Sequence, residues 1–248
     1  MKVEVLGCSG GKDKNSNLPS FLIDGKILFD CGSVCSSLSV ERQGDIEVCF
    51  ISHAHFDHIC DLPFVADNLS ISGKNLRIFA TKETLKLISE NVFNGKIWPD
   101  FRKIPDRENP TLIFEEVSDG EVLKIEGYEI EFFNVYHTEG SIGFIISDEK
   151  SKLAYTADTY QTNGLWKKLY EKGVKSIITE CSFPSKRGKI AEVSYHLSVE
   201  TFIQELKKMD KFDNIFVFHL KPHYKDLIEK ELKSFDVKIL KDGEIIEI

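Results

Sequence analysis

His53, His55, Asp57 and His58 crowd into the run Ile51-Ser-His-Ala-His-Phe-Asp-His-Ile59, and no other stretch of the chain constrains it as tightly. The run reads as half of a two-metal site. The apolar Val48-Cys49-Phe50-Ile51 before it predicts a buried strand, and alternate residues of extended backbone share a face, so His53 and His55 can aim at one ion. The chain must then turn. Asp57 and His58 open a helix expected to reach about Ile71, which points them differently from the first pair, toward a second ion close by. Neutral imidazole with carboxylate suits zinc first, with manganese or iron compatible. Surface histidines in a polar loop are the alternative, and the crowding argues against it.

With 248 residues, 42% hydrophobic and 29% charged, the chain can bury one large core, as a single α/β domain over 1–248 would. Met1-Lys-Val-Glu-Val-Leu-Gly7 alternates as a strand and lacks the charged region and long apolar core of a signal peptide. Nothing in the sequence approaches a membrane span. The six cysteines lack the paired spacing of a structural zinc site and fit reduced thiols in a cytoplasm. Cys31 and Cys35 could share a helical turn, with metal binding or a disulfide as the weaker alternative. A formal net charge of −8 argues against a general nucleic-acid binder, since Lys and Arg hold phosphate backbones. It does not forbid an anionic substrate, because bound divalent cations dominate the field of their own site.

Short apolar runs alternate with turn signals. Strands are expected at Val3 to Leu6, Ser20 to Ile23 and Ile27 to Phe29, with Asp24-Gly25 as the hairpin turn between the last two. Further strands are expected at Leu76 to Ala80, Ile113 to Val117, Val122 to Ile125, Tyr128 to Tyr136, Gly143 to Ser147 and Lys152 to Thr156, and a helix at Lys82 to Val92. The last third reads as helix and strand in alternation through Trp166, Ile177, Phe202, Phe216, Leu227 and Ile239. His137 follows the strand ending at Tyr136, Asp158 follows Leu153 to Ala157, and His219 follows Ile215 to Phe218. Loops at strand ends are where a sandwich or open sheet gathers functional groups on a rigid support.

The HxHxDH run followed by His137, Asp158 and His219 resembles the metallo-β-lactamase superfamily over the whole chain. That resemblance implies an α/β (α+β) fold, an αββα four-layer sandwich of two mixed sheets flanked by helices. It also implies that His53, His55 and His137 hold one metal, that Asp57, His58 and His219 hold the other, and that Asp158 bridges them. Asp61 stands where the superfamily often has Gly, so the helix start is expected to pack differently. Within the superfamily, Val92 to Phe101, His137 to Phe144, Glu180-Cys-Ser-Phe183, His196-Leu-Ser198 and His219-Leu-Lys-Pro-His-Tyr224 resemble the class II cyclic-nucleotide phosphodiesterases. Glu180 and His196 also resemble the Glu and His that the related transfer-RNA 3′-end endonucleases place beside their metals.

Phosphodiester chemistry makes the same demands without the family name. The phosphate must be neutralised, a nucleophile presented at neutral pH, and the departing alkoxide stabilised. Two metals about 3.5 to 4 Å apart meet the first two demands by sharing a water, whose pKa a single zinc can lower from about 15.7 to about 7. The leaving 3′ oxygen needs a proton, for which His196 is the candidate acid, held charged by Glu180, while Asp57 stands beside the nucleophile. His196 could instead be a helix start or N-cap, since a helical pattern runs from it to Met209. His223 and Lys221 lie where they could touch the phosphate, His223 alternatively orienting His219 or lying on the surface. Phe93, Trp98 and Phe101 could stack on a base, with Asn94 reading its edge, or could pack in the core.

The expected activity is hydrolysis of 3′,5′-cyclic nucleotides such as cyclic AMP or cyclic GMP to 5′-monophosphates, with a small-molecule partner, two divalent ions, and the homodimer that relatives with this fold often form. A ribonuclease of the transfer-RNA-processing type is the second reading. Against it, the one basic loop, Lys96 to Arg107, is interleaved with Asp100, Asp106 and Glu108. A non-catalytic metal-binding sensor comes third, because a closed structural site has no use for an adjacent acid.

Overall fold

The computed structural model describes residues 1–209 and 211–248. In chain order the strands are β1 (Lys2–Gly7), β2 (Ser20–Ile23), β3 (Ile27–Phe29), β4 (Val48–Phe50), β5 (Leu76–Ala80), β6 (Leu112–Glu116) and β7 (Val122–Ile125). The remaining strands are β8 (Tyr128–Asn134), β9 (Ile142–Ser147), β10 (Lys152–Tyr155), β11 (Ser176–Glu180), β12 (Asn214–Phe218), β13 (Lys238–Ile239) and β14 (Ile245–Glu247). The helices are α1 (Val40–Gln43), α2 (Phe56–Ile59), α3 (Leu62–Ile71), α4 (Lys82–Asn91), α5 (Leu165–Glu171), α6 (Gly188–Val193), α7 (Val199–Leu206) and α8 (Lys225–Leu232).

The strands form two 7-stranded sheets, ordered β14-β1-β2-β3-β4-β5-β6 and β13-β12-β11-β10-β9-β8-β7. Each is mixed. The hairpins around β2 and β8 pair antiparallel, whereas β3 to β6 and β10 to β13 run parallel. The period of two along a strand sorts side chains between layers. In β4, Val48 and Phe50 enter the cluster between the sheets, while Cys49 faces the helices outside. Phe50 lies 5.1 Å from Phe79 of its own sheet and 5.8 Å from Phe132 of the other, so one ring ties the layers together. Truncating it to Ala should cost about 3–5 kcal/mol of stability, measurable by chemical denaturation. Residues of α3 and α4 cover the first sheet, and residues of α5, α7 and α8 cover the second. The layer order is therefore helix, sheet, sheet, helix, the αββα sandwich of the metallo-β-lactamase fold.

Several boundaries differ from the sequence reading for physical reasons. The helix expected from Asp57 to Ile71 is two, because the chain breaks at Cys60-Asp61: Pro63 has no N–H for Ile59, and the Asp61 carboxylate accepts from the Cys35 backbone N–H at 2.7 Å. The helix expected from His196 starts at Val199, where Ser198 and Thr201 form a reciprocal capping box. His196 is neither its cap nor its first turn. Strand β8 ends at Asn134, before Tyr136. The short α1 and α6 and the edge strand β14 were not anticipated, being too brief to show a period. All six cysteines are free.

Candidate metal centre

The site lies where the C-terminal ends of strands in the two sheets approach one another, as ligand sites do in open sheets. β4 feeds His53 and His55, and the first turn of α2 supplies Asp57 and His58. From the second sheet, His137 follows β8, Asp158 follows β10, Glu180 ends β11, and His219 follows β12. The ligand atoms of His53, His55, His137 and Asp158 lie within 4.8 Å of one another, as do those of Asp57, His58 and His219 and those of Asp158, His196 and His219. Asp158 Oδ2 stands 3.3 Å from both His58 Nε2 and His219 Nε2, 3.8 Å from His53 Nε2 and 3.9 Å from His137 Nε2.

The buried polar atoms show what this arrangement can take. His53 Nε2, His58 Nε2 and both carboxylate oxygens of Asp158 are buried without a hydrogen-bond partner. Although His58 Nε2 and Asp158 Oδ2 are close, they do not meet in hydrogen-bonding geometry. A fold seldom leaves buried polar atoms unsatisfied, and here they converge on common points together with the other imidazoles. The donor set fits divalent metal ions, with Asp158 placed to serve both groups.

The opposite nitrogens of the rings are fixed from behind, which sets the tautomers. His58 Nδ1 donates to Asp30 Oδ2 at 2.7 Å, and His137 Nδ1 donates to the Tyr195 carbonyl at 2.9 Å. Ser52 Oγ donates to Asp30 Oδ2 at 2.9 Å, so it is left to accept from His53 Nδ1 at 3.0 Å. Ser182 Oγ likewise donates to Glu180 Oε2 at 2.5 Å and accepts from His219 Nδ1 at 2.7 Å. In each ring the Nε2 lone pair therefore faces the centre. Burial, opposed by Asp158, holds His53 well below its ordinary pKa, and burial takes His55 down to about 4, so both stay neutral and able to ligate. Burial alone would raise the Asp57 and Asp158 carboxyls, but hydrogen bonding and the neighbouring imidazoles bring both well below the carboxylate range.

A sequence model of the family described as Anti-Pycsar protein Apyc1 matches residues 1–240. The chain belongs to that family. A Yersinia pestis protein named "Probable 3′,5′-cyclic-nucleotide phosphodiesterase" is 25% identical over 90% of this chain and 79% of its own length. A Candida albicans 3′,5′-cyclic-nucleotide phosphodiesterase is also 25% identical, but the match spans 52% of this chain and only 29% of that protein. Ribonuclease Z of Methanococcus maripaludis is 22% identical over 92% of this chain and 91% of its own. Among solved structures, the metallo-β-lactamase fold protein YhfI of Bacillus subtilis superposes with a TM-score of 0.79 at 21% identity, covering 99% of both chains. Unliganded yeast PDE1 does so at 0.79 and 19%, covering 100% of this chain and 99% of its own.

In this Apyc1-family chain His196 Nδ1 lies 2.7 Å from Glu180 Oε1. Glu180 is fully buried, and Thr159 N at 2.9 Å, Leu197 N at 3.3 Å and Ser182 Oγ hold its carboxylate in place. Burial opposes a charge on His196, yet Glu180 and Asp158 outweigh it and raise the imidazole pKa, favouring the protonated ring. The substrate-side candidates separate. Phe101 is core, 3% exposed beside Phe93, and offers a ligand no face. Asn94 is consumed by its own loop, accepting from Lys96 N and Ile97 N and donating to the Glu90 carbonyl, so it has no free edge to read a base. His223 is exposed on the turn Pro222–Tyr224. Trp98 alone lines a cleft.

The sequence reading missed Asp30, Ser52, Tyr155 and Ser182. Asp30 is fully buried and also accepts from Ser52 N at 2.8 Å and the Tyr155 hydroxyl at 2.7 Å. A signal was there, because Asp30 directly follows the apolar strand β3, just as His219 directly follows β12. The two serines carried none.

Proposed function

We propose that this chain is a divalent-metal-dependent phosphodiesterase that hydrolyses 3′,5′-cyclic nucleotides to nucleoside 5′-monophosphates. The observation that carries the proposal is the buried Glu180–His196 pair at 2.7 Å, set against Asp158 and His219. Metal binding alone does not need it. Two ions, with zinc suited to an imidazole-rich set, would be held by His53, His55 and His137 and by Asp57, His58 and His219, with Asp158 between, and would supply phosphate neutralisation and a nucleophile at neutral pH.

The chain's own residues then complete the reaction. As the bond from phosphorus to the 3′ oxygen breaks, His196 gives that oxygen the proton from Nε2, and Glu180 holds the ring through Nδ1. Sequence kinship to the Yersinia protein supports the substrate class. Free cysteines, four of the six deeply buried, accord with a reducing cytoplasm. No helix among the described residues is long and apolar enough to cross a membrane.

The likeness to ribonuclease Z over nearly the full chain favours a second reading, transfer-RNA processing. The basic loop weakens it: Arg102 and Lys103 both pair with Asp100, at 2.7 and 2.6 Å, which removes charge that a phosphate backbone would need. Assay of the metal-loaded protein on cyclic AMP, cyclic GMP and precursor tRNA side by side decides. Turnover of a cyclic nucleotide to the 5′-monophosphate is the expected result, and cleavage of tRNA alone would contradict it.

A further inference from the structure

Asp158 differs from the imidazoles around it in how it is held. His53, His58, His137 and His219 are each fixed through Nδ1 by an outer partner. Both carboxylate oxygens of Asp158 lack a hydrogen-bond partner among the described residues. Without an outer partner, the carboxylate that serves both groups can be aimed only through its own backbone. The residues on either side are fixed accordingly. Ala157 holds a φ of +51°, and Thr159 is fully buried and bonded through both its backbone and its side chain.

The Thr159 N–H donates to Glu180 Oε1 at 2.9 Å, the same oxygen that accepts from His196 Nδ1 at 2.7 Å. The Thr159 hydroxyl oxygen accepts from the Tyr136 N–H at 3.2 Å, one residue before His137, and its O–H donates to the Tyr160 carbonyl at 3.1 Å. The Tyr160 N–H donates in turn to the Tyr136 carbonyl at 2.7 Å, so the segments carrying Asp158 and His137 are bridged twice. Building on the two-metal reading of the centre, we propose that Thr159 is the positioning residue for the bridging carboxylate. Its hydroxyl sets Asp158 against His137, and its N–H sets Asp158 against the Glu180–His196 pair. Every residue but proline has the N–H, so what this side chain supplies is the hydroxyl, and without it the Tyr136 N–H loses its acceptor.

Two substitutions separate positioning from packing. Thr159→Val keeps the shape and the methyl group but removes the hydroxyl, whereas Thr159→Ser keeps the hydroxyl and removes the methyl. Zinc affinity, measured by competition with a chromogenic chelator, reads both without turnover. Thr159→Val should weaken zinc binding by roughly tenfold, the lower end for outer partners of metal ligands, and should do so for both ions because Asp158 serves both groups. Thr159→Ser should stay within about twofold of the unmodified protein. A Val variant that binds zinc within about twofold of the unmodified protein overturns the proposal. So does a Ser variant that loses as much as Val, which gives the effect to packing, and so does a loss confined to one ion. Circular dichroism of the metal-free proteins covers the remaining case: a Val variant that fails to fold where the unmodified protein folds assigns the hydroxyl to the fold and overturns the positioning role. Absence of zinc binding by the unmodified protein would remove the metal centre and this role together, whereas equal binding by Val and the unmodified protein removes the role and leaves the centre.

Discussion

His53, His55, Asp57 and His58 reach the metal centre from one loop and one helical turn, whereas His137, Asp158 and His219 arrive from the ends of β8, β10 and β12. The first group is placed by local geometry, since extended backbone before α2 and helical backbone within it aim neighbouring side chains apart. Long-range packing places the second. Its cost is visible in the backbone: of the six non-glycine residues with positive φ among the described residues, Ala157, Tyr195 and His219 lie on this side, and Asp30 behind His58 makes a fourth. Asp24 and Glu126, each directly before a glycine of positive φ, sit in hairpin turns, where such backbone is routine. Strained residues persist only where their surroundings over-determine them, as the packing of the two sheets does here.

Asp158→Ala should break the comparison hardest, because this carboxylate alone stands between the two groups. Loss of bound metal from both, with activity below detection, is expected from metal analysis, and full metal content would show that the halves do not share it. His196→Ala should keep the metal content and lower turnover on the order of a hundredfold or more, most for poor leaving groups. Equal losses on nitrophenyl esters would count against an acid role.

Smaller effects sharpen the contrast between the halves. Asp30→Asn disturbs His58 directly and His53 through Ser52, and by the usual weight of such outer partners should cost roughly 10- to 100-fold in metal affinity. Ser182→Ala touches only His219 among the ligands and should cost less in the same competition titration with a chelator. Acid should separate the ions last and most gently. Burial depresses the pKa of His53, His55 and His219, which stay neutral as pH falls, whereas burial at His58 is outweighed by Asp158 and Asp30, so its pKa is raised and it alone of these four takes a proton early. Protons compete with metal for imidazole, so dialysis at stepwise lower pH should release the ion of Asp57, His58 and His219 before the other. Simultaneous release would contradict that order.

The same contrast explains what the sequence made visible. The HxHxDH run announces itself because its ligands are neighbours, and the parallel strands show because they are apolar on both faces. His137, Asp158 and His219 were found by position, each just beyond a strand. Asp30 satisfied that rule as well, but its partners Ser52 and Tyr155 come together only once both sheets have packed. The Ser182 hydroxyl between Glu180 and His219 is likewise a tertiary fact. Asn94 and Phe101 misled in the opposite sense, because residue type cannot tell a base-reading amide from one that closes its own loop, or a stacking ring from a core ring.

The most direct measurement is a crystal structure of the metal-loaded protein with anomalous scattering. The account predicts two ions about 3.5 to 4 Å apart, one on His53, His55 and His137, the other on Asp57, His58 and His219, with Asp158 touching both. A single ion at full occupancy, or two ions that do not share Asp158, would contradict it.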